Sequence, residues 1–266
     1  EAISQTSDGY VVRTTSRTVK AKTLLTTAGP QSLMLAEQVG VGDHLSLLPI
    51  AGSYFEGGNW LNGKVYTLQM DKLPFAAVHG DAGVHNPDVT RFGPTAKLVL
   101  MLERYKYSTV PDFFKTFSFS WDAFASYASI LSDWTLSSYM AKNVLYDIPF
   151  IDKRAFISHI RKVVPSAELD DIQRAKGYGG VRPQIVNTEK RTLDMGEAVL
   201  HGDNAVFNIT PSPGASTSLG NARRDAKQVA SWLDAEFNDE AFLADQVRND
   251  TKQQMDYDLA TELFEP

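Results

Sequence analysis

An α+β fold is predicted for this chain, on three observations. Between Leu45 and Leu102 short apolar runs are broken by turn residues, the pattern of strands. Residues 111–176 change to a three-and-four spacing rich in aromatic residues, which is helical. Strand signals return at Val181–Val186 and Ala205–Ile209 and lead into a strong final helix. Together they predict a large mixed or antiparallel sheet (residues 45–102 and 180–210) covered on one side by the helices of 111–176.

Taken in order, residues 9–26 give three short strands, with turns at Ser7-Asp8-Gly9 and Thr15-Ser16-Arg17. The third strand, Thr23–Thr27, ends in Ala28-Gly29-Pro30. A helix follows through Leu33, Leu35, Ala36 and Val39 and stops at Gly40. Asn62-Gly63 predicts a hairpin between Trp60-Leu61 and Val65–Leu68. Phe75–His79 and Ala96–Leu100 are expected as further strands. A helix begins at Asp152, carries Phe156, Ile157, Ile160 and Val164 on one face, and halts at Pro165. The last helix spaces Ala215, Leu219, Ala222, Ala226, Val229, Ala230 and Leu233 three and four apart. From Asp234 onward ten acidic residues face only Arg248 and Lys252, which predicts a surface-wrapping or loosely held tail over 234–266.

Composition limits the function classes. With 43% hydrophobic and 22% charged residues over 266 positions, the chain is an ordinary globular one, long enough for a large core or two lobes. A net charge of −6 argues against a nucleic-acid partner. The absence of cysteine excludes disulfides, thiolate metal sites and a Cys nucleophile. No His/Asp/Glu set has ligand spacing on one element, so no metal is expected, and no G-x-S-x-G occurs. No apolar run reaches the roughly 20 residues of a membrane span, which leaves peripheral contact open. The chain opens at Glu1, without Met, and runs into strand-like Tyr10–Thr14; the expectation is a chain entered partway through a domain.

Two segments carry the chemistry. In Thr210-Pro211-Ser212-Pro213-Gly214-Ala215-Ser216-Thr217-Ser218-Leu219 a strand meets a helix through a turn that two prolines enforce. Gly214 admits close approach of a backbone or planar ligand, and the free N–H groups of the first helical turn favour negative charge. An ordinary capped turn is the competing reading. In Gly177-Tyr178-Gly179-Gly180-Val181-Arg182-Pro183-Gln184, an arginine rising from a glycine-rich turn presents its planar fork to a carboxylate, or pairs with a surface Asp.

With Thr26-Thr27-Ala28-Gly29-Pro30 ahead of them, these segments fall in an order that resembles the D-amino-acid-oxidase-like FAD-dependent oxidoreductases. Within that superfamily the likeness is to the malate:quinone oxidoreductase family, through Val78-His79-Gly80-Asp81 and Thr90-Arg91-Phe92-Gly93-Pro94-Thr95 as well. It covers most of residues 20–233 and lapses in the acidic tail. The resemblance implies that Ala28 and Gly29 bring backbone against FAD. It implies that Gly180 and Arg182 form the substrate wall, the arginine clamping the substrate carboxylate. Ser212, Pro213, Gly214, Ala215 and Ser216 would face the flavin pyrimidine edge, and His79 would lie in the sheet roofing the flavin. The family's opening βαβ unit with G-x-G-x-x-G has no counterpart here, so the expectation is a C-terminal portion lacking the nucleotide-binding unit. Residues 1–44 and 205–233 are then expected as the remnant of the FAD domain, and 45–204 as the substrate domain.

For a 2-hydroxy acid the chemistry requires anchored carboxylates, a base for the hydroxyl proton and a carbon presented for hydride transfer. Arg182 is the first anchor and Arg91 the candidate for malate's second carboxylate, against a structural role in its loop. His79 is the candidate base, against a core histidine. Tyr54 is a candidate carboxylate ligand, against packing. His85 is expected at the surface, and His44, His159 and His201 in structural loop or helix settings. The implied partners are malate and a quinone, in a cytoplasmic enzyme peripheral on the inner face of the membrane. The alternatives are a 2-hydroxyglutarate oxidase of the same superfamily, or a catalytically silent folded module.

Overall fold

Strands β1 (Ala2–Thr6), β2 (Gly9–Arg13) and β3 (Thr18–Ala21) form an antiparallel meander. This computed structural model describes residues 2–68, 77–83, 86–93, 95–117, 120–194, 196–210 and 214–248. After β4 (Leu24–Thr26), the turn Ala28-Gly29-Pro30 opens α1 (Gln31–Glu37). Then come β5 (Leu45–Ala51), β6 (Tyr54–Gly57), β7 (Val65–Tyr66), β8 (His79–Ala82), β9 (Thr90–Gly93) and β10 (Lys97–Leu98). Four helices follow: α2 (Val110–Thr116), α3 (Trp121–Ser132), α4 (Trp134–Val144) and α5 (Asp152–Ile160). Ser120 caps α3 by accepting from the Ala123 N–H, and Asp133 caps α4 by accepting from Thr135 and Leu136. The chain closes with β11 (Gln173–Ala175), β12 (Val181–Asn187), β13 (Thr192–Asp194), β14 (Val199–Gly202), β15 (Ala205–Asn208), α6 (Gly214–Trp232) and α7 (Asp239–Arg248).

The α+β class holds, but the single large sheet is divided. A four-stranded sheet, β10-β5-β12-β13, lies at the centre. Strand β5 is buried at every position, so the sheet is covered on both faces. Leu48, Ile50 and Val186 meet Tyr127, Ile130, Leu136 and Met140 of α3 and α4. On the opposite face Leu45, Leu47 and Ile185 meet Leu33, Phe113 and Ile209. A five-stranded sheet, β11-β6-β9-β8-β7, stands apart and rests its apolar face on α5. There Phe55 stacks on Phe156 at 4.5 Å, and truncating the fully buried Phe156 to Ala would cost about 3–5 kcal/mol.

Segments near the two ends of the chain meet in a fourth sheet. Strand β15 runs parallel to β4, with Phe207 beside Thr26, and antiparallel to β14. Ile3, Tyr10, Ala36, Ala205 and Phe207 share one cluster, and the Tyr10 hydroxyl donates to the Asp203 carbonyl.

Three local expectations need correction. The Asn62-Gly63 hairpin does not form: the Trp60 and Leu61 N–H groups donate to Thr90 Oγ1, at 3.0 and 3.2 Å, and β7 pairs with β8 instead. The region 111–176 is not helical throughout, because Gln173–Ala175 adds a strand to the edge of β6. The acidic tail, expected to wrap the surface or lie loosely, begins with a helix docked on α6, where Asp239 at the start of α7 accepts from Arg223 (2.7 and 2.9 Å) and Lys227. His201 lies on β14 rather than in a loop or helix, and His85 lies outside the described residues.

Candidate active site

The five-stranded sheet sorts its side chains by the two-residue period of a strand. Phe55, Gly80 and Phe92 face α5, so Tyr54, His79 and Glu56, Asp81 and Arg91 share the other face. The register sets them in rows. His79 is opposite Tyr66 on one side and Gly93 on the other, and Arg91 lies between Glu56 and Asp81.

Gly93 puts no side chain into the first row, and the Tyr54 ring takes the space beside it. Gly93 holds φ +153°, and a Cβ there would come within 2.7 Å of the Tyr54 ring. Gly179, at φ +109°, lies against the same ring, where a Cβ would meet the Gly52 carbonyl at 2.9 Å. The Tyr54 ring is therefore seated between two backbones that only glycine allows to come so close.

His79 is paired. Its Nε2 lies 3.2 Å from Asp81 Oδ2, its Nδ1 is 3.5 Å from the Ala77 carbonyl, and its ring is 5.0 Å from that of Tyr66. Burial lowers its pKa; Asp81 opposes the shift, while Lys64 and Arg182 add to it. Near neutral pH the imidazole is thus uncharged and able to accept a proton, with a carboxylate placed to steady the cation that results. Lys64 pairs with Asp81 from the other side at 3.3 Å.

Arg182 comes from β12 of the central sheet, opposite Ile50, and is half-buried. Burial lowers its pKa and Tyr54 counteracts this; burial likewise raises the Tyr54 phenol, and Asp81 raises it further, with Lys64, Arg182 and Arg91 opposing. Arg182 is therefore within electrostatic reach of both Tyr54 and His79, and Arg91 of Tyr54. Arg91 is more engaged than expected of a substrate anchor. Its Nε and Nη2 donate to Glu56 Oε1 at 3.4 and 3.3 Å, and its guanidinium stacks 3.6 Å from the Tyr178 ring centre.

An ion network lies under the turn before Tyr54. Ser53 Oγ donates to Asp147 Oδ1 at 2.5 Å, Lys97 donates to the other oxygen, and Arg174 reaches Asp147 at 3.3 Å. Arg104 donates to Ser53 Oγ at 3.2 Å. Burial, with Arg104 and Arg174 near, brings the Lys97 pKa down to about 8.

The expected cofactor wall lies at the C-terminal ends of the parallel strands. Ala28 and Gly29 follow β4, and Gly214 opens α6 after β15. These ends are adjacent because β4 and β15 are paired. A Cβ on Gly29, Gly180 or Gly214 would meet no atom within 4 Å, so each leaves open backbone that a flat ring system can approach. Among the described residues the buried Thr210 Oγ1 has no hydrogen-bond partner. Open backbone and an unsatisfied hydroxyl fit the edge of a flavin. Ala215 and Ser216 are in the first turn of α6; Ser212 and Pro213 lie outside the described residues. Among the described residues no three His, Asp or Glu side chains form a metal cage.

Sequence reasoning assigned no role to Asp81, Lys64, Glu56 or Tyr178. Asp81 carried a local signal, since two residues along a strand return to the same face as His79. Glu56 and Tyr178 reach Arg91 only through pairing between distant segments.

No family model matches the chain. Its sequence is 41% identical over 244 residues to a probable malate:quinone oxidoreductase of Campylobacter jejuni, covering 90% of this chain and 54% of that protein. It is 38% identical over 247 residues to a malate:quinone oxidoreductase of Helicobacter pylori, covering 91% and 55%. An L-2-hydroxyglutarate dehydrogenase of Nematostella vectensis is 25% identical over 232 residues, covering 80% and 46%. The chain thus spans about half the length of the curated relatives it matches. The resemblance carried by the motifs holds along nine tenths of the chain, whose relatives at 38–41% identity are malate:quinone oxidoreductases.

Proposed function

We propose that this chain supplies the substrate side of an FAD-dependent malate:quinone oxidoreductase, which oxidises L-malate to oxaloacetate and passes the electrons to a quinone. The observation that carries the reading is the polar sheet face, where neutral His79 with its Asp81 partner looks toward Arg182 and Tyr54.

Arg182 holds one substrate carboxylate through its planar fork, and Tyr54 donates its hydroxyl to the same anion. Arg91, steadied by Glu56 and Tyr178, offers its outer edge to the second carboxylate. His79 takes the hydroxyl proton, and Asp81 stabilises the imidazolium. When bound, FAD would supply the acceptor for the hydride on the carbinol carbon. The backbone of Ala28, Gly29, Gly180 and Gly214, with Ser212, Pro213, Ala215 and Ser216, would hold its ring. In this reading residues 1–44 and 205–233 form the cofactor side, 45–204 the substrate side, and 234–266 an acidic appendage.

A peripheral membrane position on the cytoplasmic side belongs to the same reading. No helix among the described residues is long and apolar enough to cross a membrane. Helix α3 nevertheless exposes Trp121, Phe124 and Leu131 along one stripe, and α4 exposes Trp134, Val144 and Leu145. Trp121 and Trp134 are 83% and 82% exposed, as interfacial anchors are. Co-sedimentation with anionic vesicles, lost on replacing both tryptophans by serine, tests this part.

The activity is tested on the complete gene product under anaerobic conditions. L-malate should bleach the flavin, and added quinone should restore its colour. Bleaching by L-2-hydroxyglutarate but not by L-malate would transfer the assignment to the other relatives' substrate. Tight FAD binding with turnover would exclude a silent module.

A further inference from the structure

A cavity of about 480 Å³ has Tyr66 in its wall, and the Tyr66 ring lies 5.0 Å from that of His79. It is lined by Tyr66 of β7, Thr67 and Leu68 just after it, Val78 before β8, Tyr139 of α4, His159 of α5 and Lys162 in the turn that follows. We propose that this cavity seats the quinone ring, apart from the site of the hydroxy acid. The inference rests on the quinone-reducing reading and gives the second substrate its place.

A quinone is a flat, uncharged ring with two opposed carbonyl acceptors and an apolar tail. It needs aromatic and aliphatic walls, N–H or O–H donors at the ring edge, and an open side. Tyr66 and Tyr139 supply aromatic surface, and Val78 and Leu68 aliphatic surface. Lys162 and His159 supply the donors. The Tyr146 hydroxyl lies 2.9 Å from His159 Nε2, and burial with Lys162 and Lys142 keeps the imidazole neutral. When that hydroxyl donates to Nε2, the ring N–H is on Nδ1. Leu68, 98% exposed, and Tyr66, 55% exposed, mark the open side through which a tail would leave. The volume falls within the roughly 300–1,000 Å³ usual for small-molecule sites.

The lining also discriminates between the two substrates. Among the described residues it holds the single cation Lys162 and no arginine, whereas Arg91 lies on the His79 face and the charge of Arg182 acts on both His79 and Tyr54. A dicarboxylate is therefore drawn to that face and an uncharged dione to the cavity. Tyr66 is common to both places, since it lines the cavity and its ring lies 5.0 Å from the His79 ring.

The test uses the flavin-loaded complete gene product, with decylubiquinone as acceptor. Lys162→Ala and Tyr139→Ala should each raise KM for decylubiquinone at least fivefold, and the double variant more. The rate of anaerobic flavin bleaching by the hydroxy acid should be unchanged. Wild-type KM for decylubiquinone in the double variant would overturn the proposal. A wild-type protein that is bleached by L-malate but never reoxidised by decylubiquinone would instead overturn the quinone reading, and this site with it. Where a variant loses its fold, as judged by flavin content, photolabelling of the wild type with an azido-quinone decides. Label on peptides from 134–162 supports the site, and label confined to other segments overturns it.

Discussion

Asp81 Oδ2 lies 3.2 Å from Nε2 of His79, two residues back along the same strand. The pair gives a neutral base a fixed orientation and a waiting counter-charge. Because burial lowers the His79 pKa, the acid limb of kcat/KM for the hydroxy acid should have its midpoint below the ordinary histidine value of about 6.5. Activity is then full above the limb and falls as the imidazole is protonated. Asp81→Asn removes the group that raises this pKa, so the limb should move to still lower pH while the plateau drops about 10- to 100-fold. His79→Gln should remove the limb and slow flavin reduction about 10²- to 10⁴-fold. Rapid-mixing measurements across pH 5–8 check all three.

The two arginines should separate in kinetics. Arg182→Lys keeps the charge but loses the fork, and should raise KM for the hydroxy acid by about tenfold or more. Arg91→Lys loses the stack on Tyr178 and the two contacts to Glu56, so it should also lower stability, by about 1 kcal/mol. Urea titration beside steady-state kinetics distinguishes an anchor from a scaffold. An Arg182→Lys variant with wild-type KM would remove it from the site.

Gly93→Ala should be costly although the added group is one methyl. The φ of +153° is unsuited to alanine, and the Cβ would intrude on Tyr54 at 2.7 Å. A loss of about 2–4 kcal/mol is expected, read as a lower urea midpoint with an unchanged slope.

Glu37 gives a pH signature to the cavity of about 680 Å³ that it shares with Ala28, Gln31 and Met34. Burial, and then Asp43, raise its pKa to about 7 from 4.5. The folded chain therefore holds this proton over a range where the unfolded chain has released it, and stability falls as pH rises from 4.5 to 7. Glu37→Gln should raise the melting temperature at pH 8 and leave it nearly unchanged at pH 4.5. After discounting for partial exposure, the gain is on the order of 1 kcal/mol.

The central strands were legible because burial leaves a strong mark. Leu45–Ala51 and Val181–Val186 are apolar runs of strand length, and both occur where expected. Gln173-Arg174-Ala175 has no such mark, and it becomes a strand only by pairing with β6. The Asn62-Gly63 turn signal was sound as local chemistry, but Thr90 competes for the N–H groups that a hairpin would have used. The site divides in the same way. His79, Tyr54 and Arg182 could be named from residue type and motif, whereas the hold of Glu56 and Tyr178 on Arg91 depends on contacts made across the fold.

The parallel pairing of Leu24–Thr26 with Ala205–Phe207 has a consequence for the order of assembly. The first strand leaves the ribosome long before its partner exists. At roughly 5–20 residues per second the interval is on the order of 10–40 s. Through that time Leu24 and Leu25 have no strand beside them on that edge, while the central sheet and its helices can already pack. Closure between the chain's two ends must therefore come late in synthesis, and the expected cofactor wall with it.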